Sequence, residues 1–185
     1  MIDVSRFDFP NIFGVVRATD GMTRNQVRPL RAEIQEIAIA KYSGGQLNYC
    51  GDTEHGRDFV GTDGLFYESK ALINMFEPIY RPMNLREKKL RKHAYFTRTI
   101  TLKKFRGKNK GIPEKTFDYM FLWDTNTNSL GITDWNSCHK NFIENDASIT
   151  FKVHQNDIDF VVQNVVPTKK EDIDKRFKQM ITEIV

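Results

Sequence analysis

Residues 56–72, GRDFVGTDGLFYESKAL, hold two short extended runs on either side of Thr62-Asp63-Gly64. Asp-Gly between two such runs is a strong hairpin signal, with Gly64 able to take positive φ. If the loop is the three residues 62–64, residue 61 pairs with residue 65. Asp58 then lies directly opposite Glu68, and Lys70 lies opposite Gly56 on the same face. A two-residue turn would slip the pairing and bring Asp58 opposite Ser69 instead. Like charges directly opposite in a strand pair are destabilising, so the first register asks for a compensating group.

A cation meets that need. Two carboxylates so close do not comfortably both ionise without one between them. A hard divalent ion such as Mg²⁺ takes oxygen ligands and keeps several waters, which leaves room for a phosphate oxygen. There it would polarise a phosphoryl group, lower the pKa of bound water and stabilise a leaving oxygen. Lys70 beside it would orient or help deprotonate the attacking water, or offset charge building in the transition state.

Charge along the chain points to the same partner chemistry. The 185 residues carry a net charge of +4, but residues 81–110 hold twelve Lys or Arg and Glu87 as their one acid, a local charge of +11 that leaves −7 for the rest. These cations are Arg81, Arg86, Lys88, Lys89, Arg91, Lys92, Arg98, Lys103, Lys104, Arg106, Lys108 and Lys110. A basic block on an acidic body is the footprint of a phosphate-backbone binder.

The remaining totals bound the class. The composition is that of a soluble globular chain, and the length suits one sizeable core, so a single domain over 1–185 is expected. There is no run of about 18 apolar residues, and MIDVSRFDFP has no apolar signal-peptide core. Cys50 and Cys138 are far apart, which suits a reducing, cytoplasmic setting. Cys50, His55, Cys138 and His139 match none of the strong zinc spacings, so two buried, inert thiols are the better reading.

Periodicity supplies the other elements. TRNQVRPLRAEIQEIAIAKYSGG reads as a helix beginning near Pro29, with Glu33 at the edge of its apolar stripe and Glu36 pointing away. GQLNYCG is a short strand, and NLREKKLRKHAYF reads as a polar helix. YFTRTITLKKF alternates as a half-buried strand with a Thr/Lys face. FDYMFLWD, TNTN and SLGITDW form a second hairpin whose apolar first strand should be central. ASITFKVHQ alternates again. The final stretch TKKEDIDKRFKQMITEIV carries a Thr168/Glu171 capping box and an apolar stripe through Ile173 and Phe177. The expected class is α/β (α+β), a mixed central sheet flanked by helices.

Asp58, nine residues, then Glu68-Ser69-Lys70 resembles the PD-(D/E)XK nuclease signature, most similar in spacing to PvuII-like orthodox type II restriction endonucleases. Residue 57 is Arg where the name of the motif has Pro. The resemblance implies a restriction-endonuclease-like core and Mg²⁺-dependent, site-specific cleavage of double-stranded DNA. Asp58 and Glu68 would bind the metal, Lys70 would serve catalysis, and Glu33 would match an accessory acid on the first helix. It also implies a homodimer, with the first or last helix as interface, and a companion DNA methyltransferase.

Arg81, Lys88, Lys89, Arg91, Lys92, Arg98, Lys103, Lys104, Arg106 and Lys108 are the expected phosphate contacts. Asn136 and His139, beside Asp134-Trp135, are candidates for base edges, although an Asx-capped strand end is the simpler reading. Glu87-Lys88-Lys89 repeats the E-x-K pattern on solvated surface, and Asp157 and Asp159 read as surface acids. Two rivals remain: a repair or junction-resolving nuclease, and a non-catalytic nucleic-acid-binding protein using the basic block.

Overall fold

The computed structural model describes residues 1–20, 28–51, 57–72, 97–102, 115–125, 127–139, 142–145, 148–154, 157–162, 165–169, 171–173, 175 and 179. Two helices lead the chain, α1 (Phe9–Asp20) and α2 (Arg28–Lys41). Then come β1 (Leu47–Tyr49), β2 (Phe59–Gly61), β3 (Phe66–Leu72), β4 (Thr97–Leu102), β5 (Tyr119–Asp124) and β6 (Ser129–Asp134). A short helix α3 (Trp135–His139) precedes β7 (Phe142–Asn145), β8 (Ser148–His154) and β9 (Asp159–Val162).

Six strands form a mixed sheet in the order β1-β2-β3-β5-β6-β9, and the other three form a second sheet, β4-β8-β7. Among the described residues, only β3 and β5 run parallel. A parallel pair requires a long crossover, and the chain between Leu72 and Tyr119 supplies it while contributing β4 to the second sheet. The class is α+β, as expected. The polar helix read over NLREKKLRKHAYF and the basic residues at 81–92 and 103–110 lie outside the described residues.

The central strand is β5. Met120, Phe121, Leu122, Trp123 and Asp124 are all buried, which suits a near-continuous apolar run between two neighbours. Trp123 packs edge-on against Phe13 of α1, with ring centroids 5.5 Å apart, and Phe9 lies 6.5 Å away. Ile12, Phe13 and Val16 of α1 and Ile39 of α2 complete the same core with Tyr67 and Phe59.

α1 is not among the elements expected from the sequence, and it contains both Pro10 and Gly14. Both are accommodated. Pro10 falls in the first helical turn, where its missing N–H is no loss, and Asp8 caps that turn by accepting from the Asn11 N–H. Gly14 makes room for Ile173: a Cβ there would overlap the Ile173 side chain. Pro29 is likewise in the first turn of α2, so that helix begins where expected.

Residues 171–173, 175 and 179 are helical, and Ile173 is buried with Val15 of α1 and Ala38 of α2. The Thr168 hydroxyl donates to Asn11 Oδ1. The two helices considered for a two-fold interface therefore meet within one chain at this point. Among the described residues, no helix is long and apolar enough to cross a membrane.

Candidate active site

The hairpin adopts the three-residue loop. Phe59 pairs with Tyr67 and Val60 with Phe66, and the Gly61 N–H donates to Leu65 O at 2.9 Å. Gly64 closes the turn at φ 77°, a conformation that favours glycine, and its N–H donates to Gly61 O. Asp63 reinforces the loop by accepting from the Leu65 N–H and from the Tyr67 hydroxyl, the latter at 2.7 Å.

The regular ladder stops at Phe59–Tyr67. One residue further, the Asp58 N–H donates to Tyr67 O, and Asp58 Oδ2 accepts from the Ser69 N–H at 2.7 Å. Asp58 thus enters the sheet through its side chain. On the other side, Asp118 anchors the start of β3 by accepting from the Phe66 N–H, and β3 runs in register with β5 from Tyr67–Tyr119 to Leu72–Asp124. Arg57, standing where the motif's name has Pro, lays its guanidinium over the Phe66 ring, 4.2 Å from the centroid.

Asp58, Glu68 and Lys70 are brought together. The Lys70 ammonium is ion-paired with Glu68 Oε1 and donates to Ser69 O at 2.9 Å. Glu68 is 4% exposed, and its second oxygen, Oε2, is buried with no hydrogen-bond partner. A buried carboxylate oxygen without a protein partner is costly and rare, and a water or a cation would satisfy it.

The electrostatics carry the same message. Burial, the Glu68 charge and the Glu36 charge push the Asp58 carboxyl up to about 8, against the opposing pull of Lys70 and the Ser69 N–H. Burial pulls the Lys70 ammonium down, but Glu68, Asp58 and Glu36 outweigh it and hold the group above the usual lysine range. Both groups thus move the same way, and the cluster binds protons more tightly than isolated side chains would.

These residues fit a hard divalent cation on two counts. All donors are carboxylate oxygens, and the orphaned Glu68 Oε2 and the raised proton affinity of Asp58 both mark a place short of positive charge. Among the described residues, no group of three or more His, Cys, Asp or Glu side chains is gathered as a ligand set.

The acid of α2 whose charge acts on both Asp58 and Lys70 is Glu36. Glu36, which lies well away from the apolar stripe in the sequence reading, therefore joins Glu33 as a candidate accessory acid on α2. Glu33 is half-buried on the same helix. Glu36 stands off the apolar stripe of α2, and its charge reaches the polar cluster.

The other candidates separate. Arg98 lies on β4, paired with Val153 of β8; Arg81, Lys88, Lys89, Arg91, Lys92, Lys103, Lys104, Arg106 and Lys108 lie outside the described residues, as does His55. Asp134 accepts from the Ser137 N–H at 2.7 Å, so the Asx-cap reading holds for the start of α3. Asn136 is exposed on α3, and His139 is its last residue. Cys138 is buried, and burial pushes its thiol up to about 12, as an inert thiol requires; Cys50 is only half-buried. Ser69 and Trp123 were not singled out as site residues, yet the Trp123 indole N–H donates to Ser69 Oγ at 3.1 Å directly behind the cluster.

No protein-family model matches this chain, and no curated protein matches it in sequence.

Proposed function

We propose that this chain is a Mg²⁺-dependent endonuclease with a PD-(D/E)XK-like core that hydrolyses phosphodiester bonds of double-stranded DNA at specific sites, as type II restriction enzymes do. The observation that carries this reading is the buried Glu68 oxygen without a partner, next to an Asp58 carboxylate held by the Ser69 N–H and a Lys70 ion-paired with Glu68. The acidic pair sits on a hairpin just upstream of the +11 segment at residues 81–110.

In this reading Asp58 releases its proton and Glu68 offers Oε2 to hold the cation. The cation, when bound, supplies Lewis-acid polarisation of the phosphate and a more acidic water. Lys70, held charged by Glu68, stabilises negative charge developing on the phosphate, and the Ser69 carbonyl fixes where its ammonium points. Glu36 adds negative charge beside the pair without entering the ligand set. The basic segment grips the phosphate backbone, which positions DNA but does not read it. Asn136 and His139 are the candidates for base edges. Cutting both strands at a symmetric site calls for two copies of the chain, and a restriction role calls for a methyltransferase that protects host DNA.

The test is digestion of a plasmid of known sequence and of a four-way junction, each with Mg²⁺, followed by mapping of the ends. Discrete plasmid fragments support site-specific cleavage. Cutting of the junction alone would move the assignment to a resolving nuclease, and DNA binding without cutting would move it to a non-catalytic binder.

A further inference from the structure

We infer that Trp123 and Ser69 are positioning residues that hold the carboxylate of Asp58 in place from the core side of the sheet; the catalytic consequence rests on the nuclease reading above. On β3, Tyr67 is fully buried and Ser69 is 8% exposed. Side chains alternate along a strand, so Ser69 points away from Glu68 and Lys70, toward the face that Tyr67 fills. An apolar residue is what a packed sheet asks for at such a position, and a buried hydroxyl is costly unless it is bonded. Departures of this kind concentrate at functional sites.

The departure is answered by one specific partner. The Trp123 indole N–H donates to Ser69 Oγ at 3.1 Å. Trp123 itself is fully buried on β5 and braced by Phe13 of α1 and by Phe121 at 6.0 Å. In the parallel β3–β5 register Trp123 stands opposite Ala71, so its bond to Ser69 runs diagonally, against sliding of β3 along β5. The residue it grips is the one whose N–H holds Asp58 Oδ2 at 2.7 Å and whose carbonyl receives Lys70 at 2.9 Å. A path of direct contacts thus runs from the aromatic core, through Trp123 and Ser69, to Asp58 on one side and Lys70 on the other. Residues that orient ligands from behind are worth about 10- to 100-fold in metal affinity or activity.

The test uses Ser69→Ala, Trp123→Phe and their combination in the full chain. Trp123→Phe keeps a ring against Phe13 and removes the N–H donor, together with part of the buried ring volume. Ser69→Ala is the milder change should the tryptophan variant fold poorly. Binding of Mn²⁺ alone is read by electron paramagnetic resonance of the free ion, beside Mg²⁺-supported plasmid cleavage and DNA affinity. Each single variant is expected to weaken Mn²⁺ binding and slow cleavage by about 10- to 100-fold with DNA affinity unchanged. The double variant should be no worse than the more affected single one, because both act through one bond. Ser69→Thr, which keeps the hydroxyl, should stay close to the unaltered chain.

Variants that bind Mn²⁺ and cut DNA as the unaltered chain does, while Asp58→Asn does neither, would overturn the positioning role and leave the nuclease reading standing. Weakened Mn²⁺ binding in a chain that never cuts DNA would support the positioning role and overturn the nuclease reading. An unaltered chain that neither binds Mn²⁺ nor cuts DNA would overturn both.

Discussion

Ser69 donates its backbone N–H to Oδ2 of Asp58 at 2.7 Å, so a carboxylate oxygen stands where a neighbouring strand would ordinarily offer a carbonyl. The hairpin ladder ends one residue earlier, at Phe59–Tyr67. Asp58 is therefore fixed relative to Glu68 and Lys70 by the sheet itself, which makes its protonation a property of the fold.

That protonation sets a pH dependence. An ordinary aspartate titrates at 3.8, whereas burial, Glu68 and Glu36 push Asp58 up to about 8. Between these values the folded chain holds a proton that the unfolded chain has lost, so Asp58 favours folding most at low pH, and its contribution is lost as pH rises through about 8. The cation-free protein should lose stability toward alkaline pH across this window, and Asp58→Asn should flatten the trend. Urea unfolding at several pH values measures both. Divalent-cation affinity should move the opposite way, rising with pH, because binding displaces the proton.

Glu36 and Glu33 are distinguishable by the same titration. Because Glu36 contributes to the raised proton affinity of Asp58, Glu36→Gln should lower the Asp58 midpoint. Glu33→Gln should leave it unmoved. Carboxyl chemical shifts followed against pH report the difference, and an equal shift in the two variants would contradict the assignment.

Much of this arrangement is legible in the sequence because it is local. Asp63-Gly64 between extended runs marks the turn and leaves two loop lengths open; with the three-residue loop the structure adopts, the convergence of Asp58, Glu68 and Lys70 follows from arithmetic. What escapes is what depends on distant partners. Gly14 and Pro10 suggest a broken segment until Ile173 is seen to need the space that Gly14 leaves. Glu36 belongs to the polar side of any stripe drawn on α2, and nothing in its own neighbourhood says that the hairpin stands opposite. Ser69 looks like the variable middle of E-x-K until Trp123, 54 residues away, is found holding its hydroxyl.

The turn offers a stability test separate from chemistry. Gly64→Ala places a side chain at φ 77° and should cost about 1 kcal/mol, with cation binding retained because the register is unchanged. Deleting Thr62 shortens the loop and slips the pairing, which should abolish cation binding in a chain that still folds. Circular dichroism melts and Mn²⁺ titrations on the two variants separate these outcomes.

Packing of the last helical segment on α1 is tested at Gly14. Gly14→Leu would overlap Ile173 and should destabilise the chain by about 1–3 kcal/mol, as overpacking of a filled core does. Combining it with Ile173→Ala should recover part of the loss. Urea midpoints for the single and double variants provide the measure, and a Gly14→Leu chain of unchanged stability would contradict the packing described.

The most direct test of the cation-dependent nuclease is Mg²⁺-supported cleavage of supercoiled plasmid by the unaltered chain, Asp58→Asn and Lys70→Ala, with DNA affinity measured alongside. The account predicts discrete fragments from the unaltered chain, none with chelator present, and losses of at least about 100-fold in both variants with DNA affinity retained. Cleavage that persists undiminished in Asp58→Asn and Lys70→Ala would contradict it.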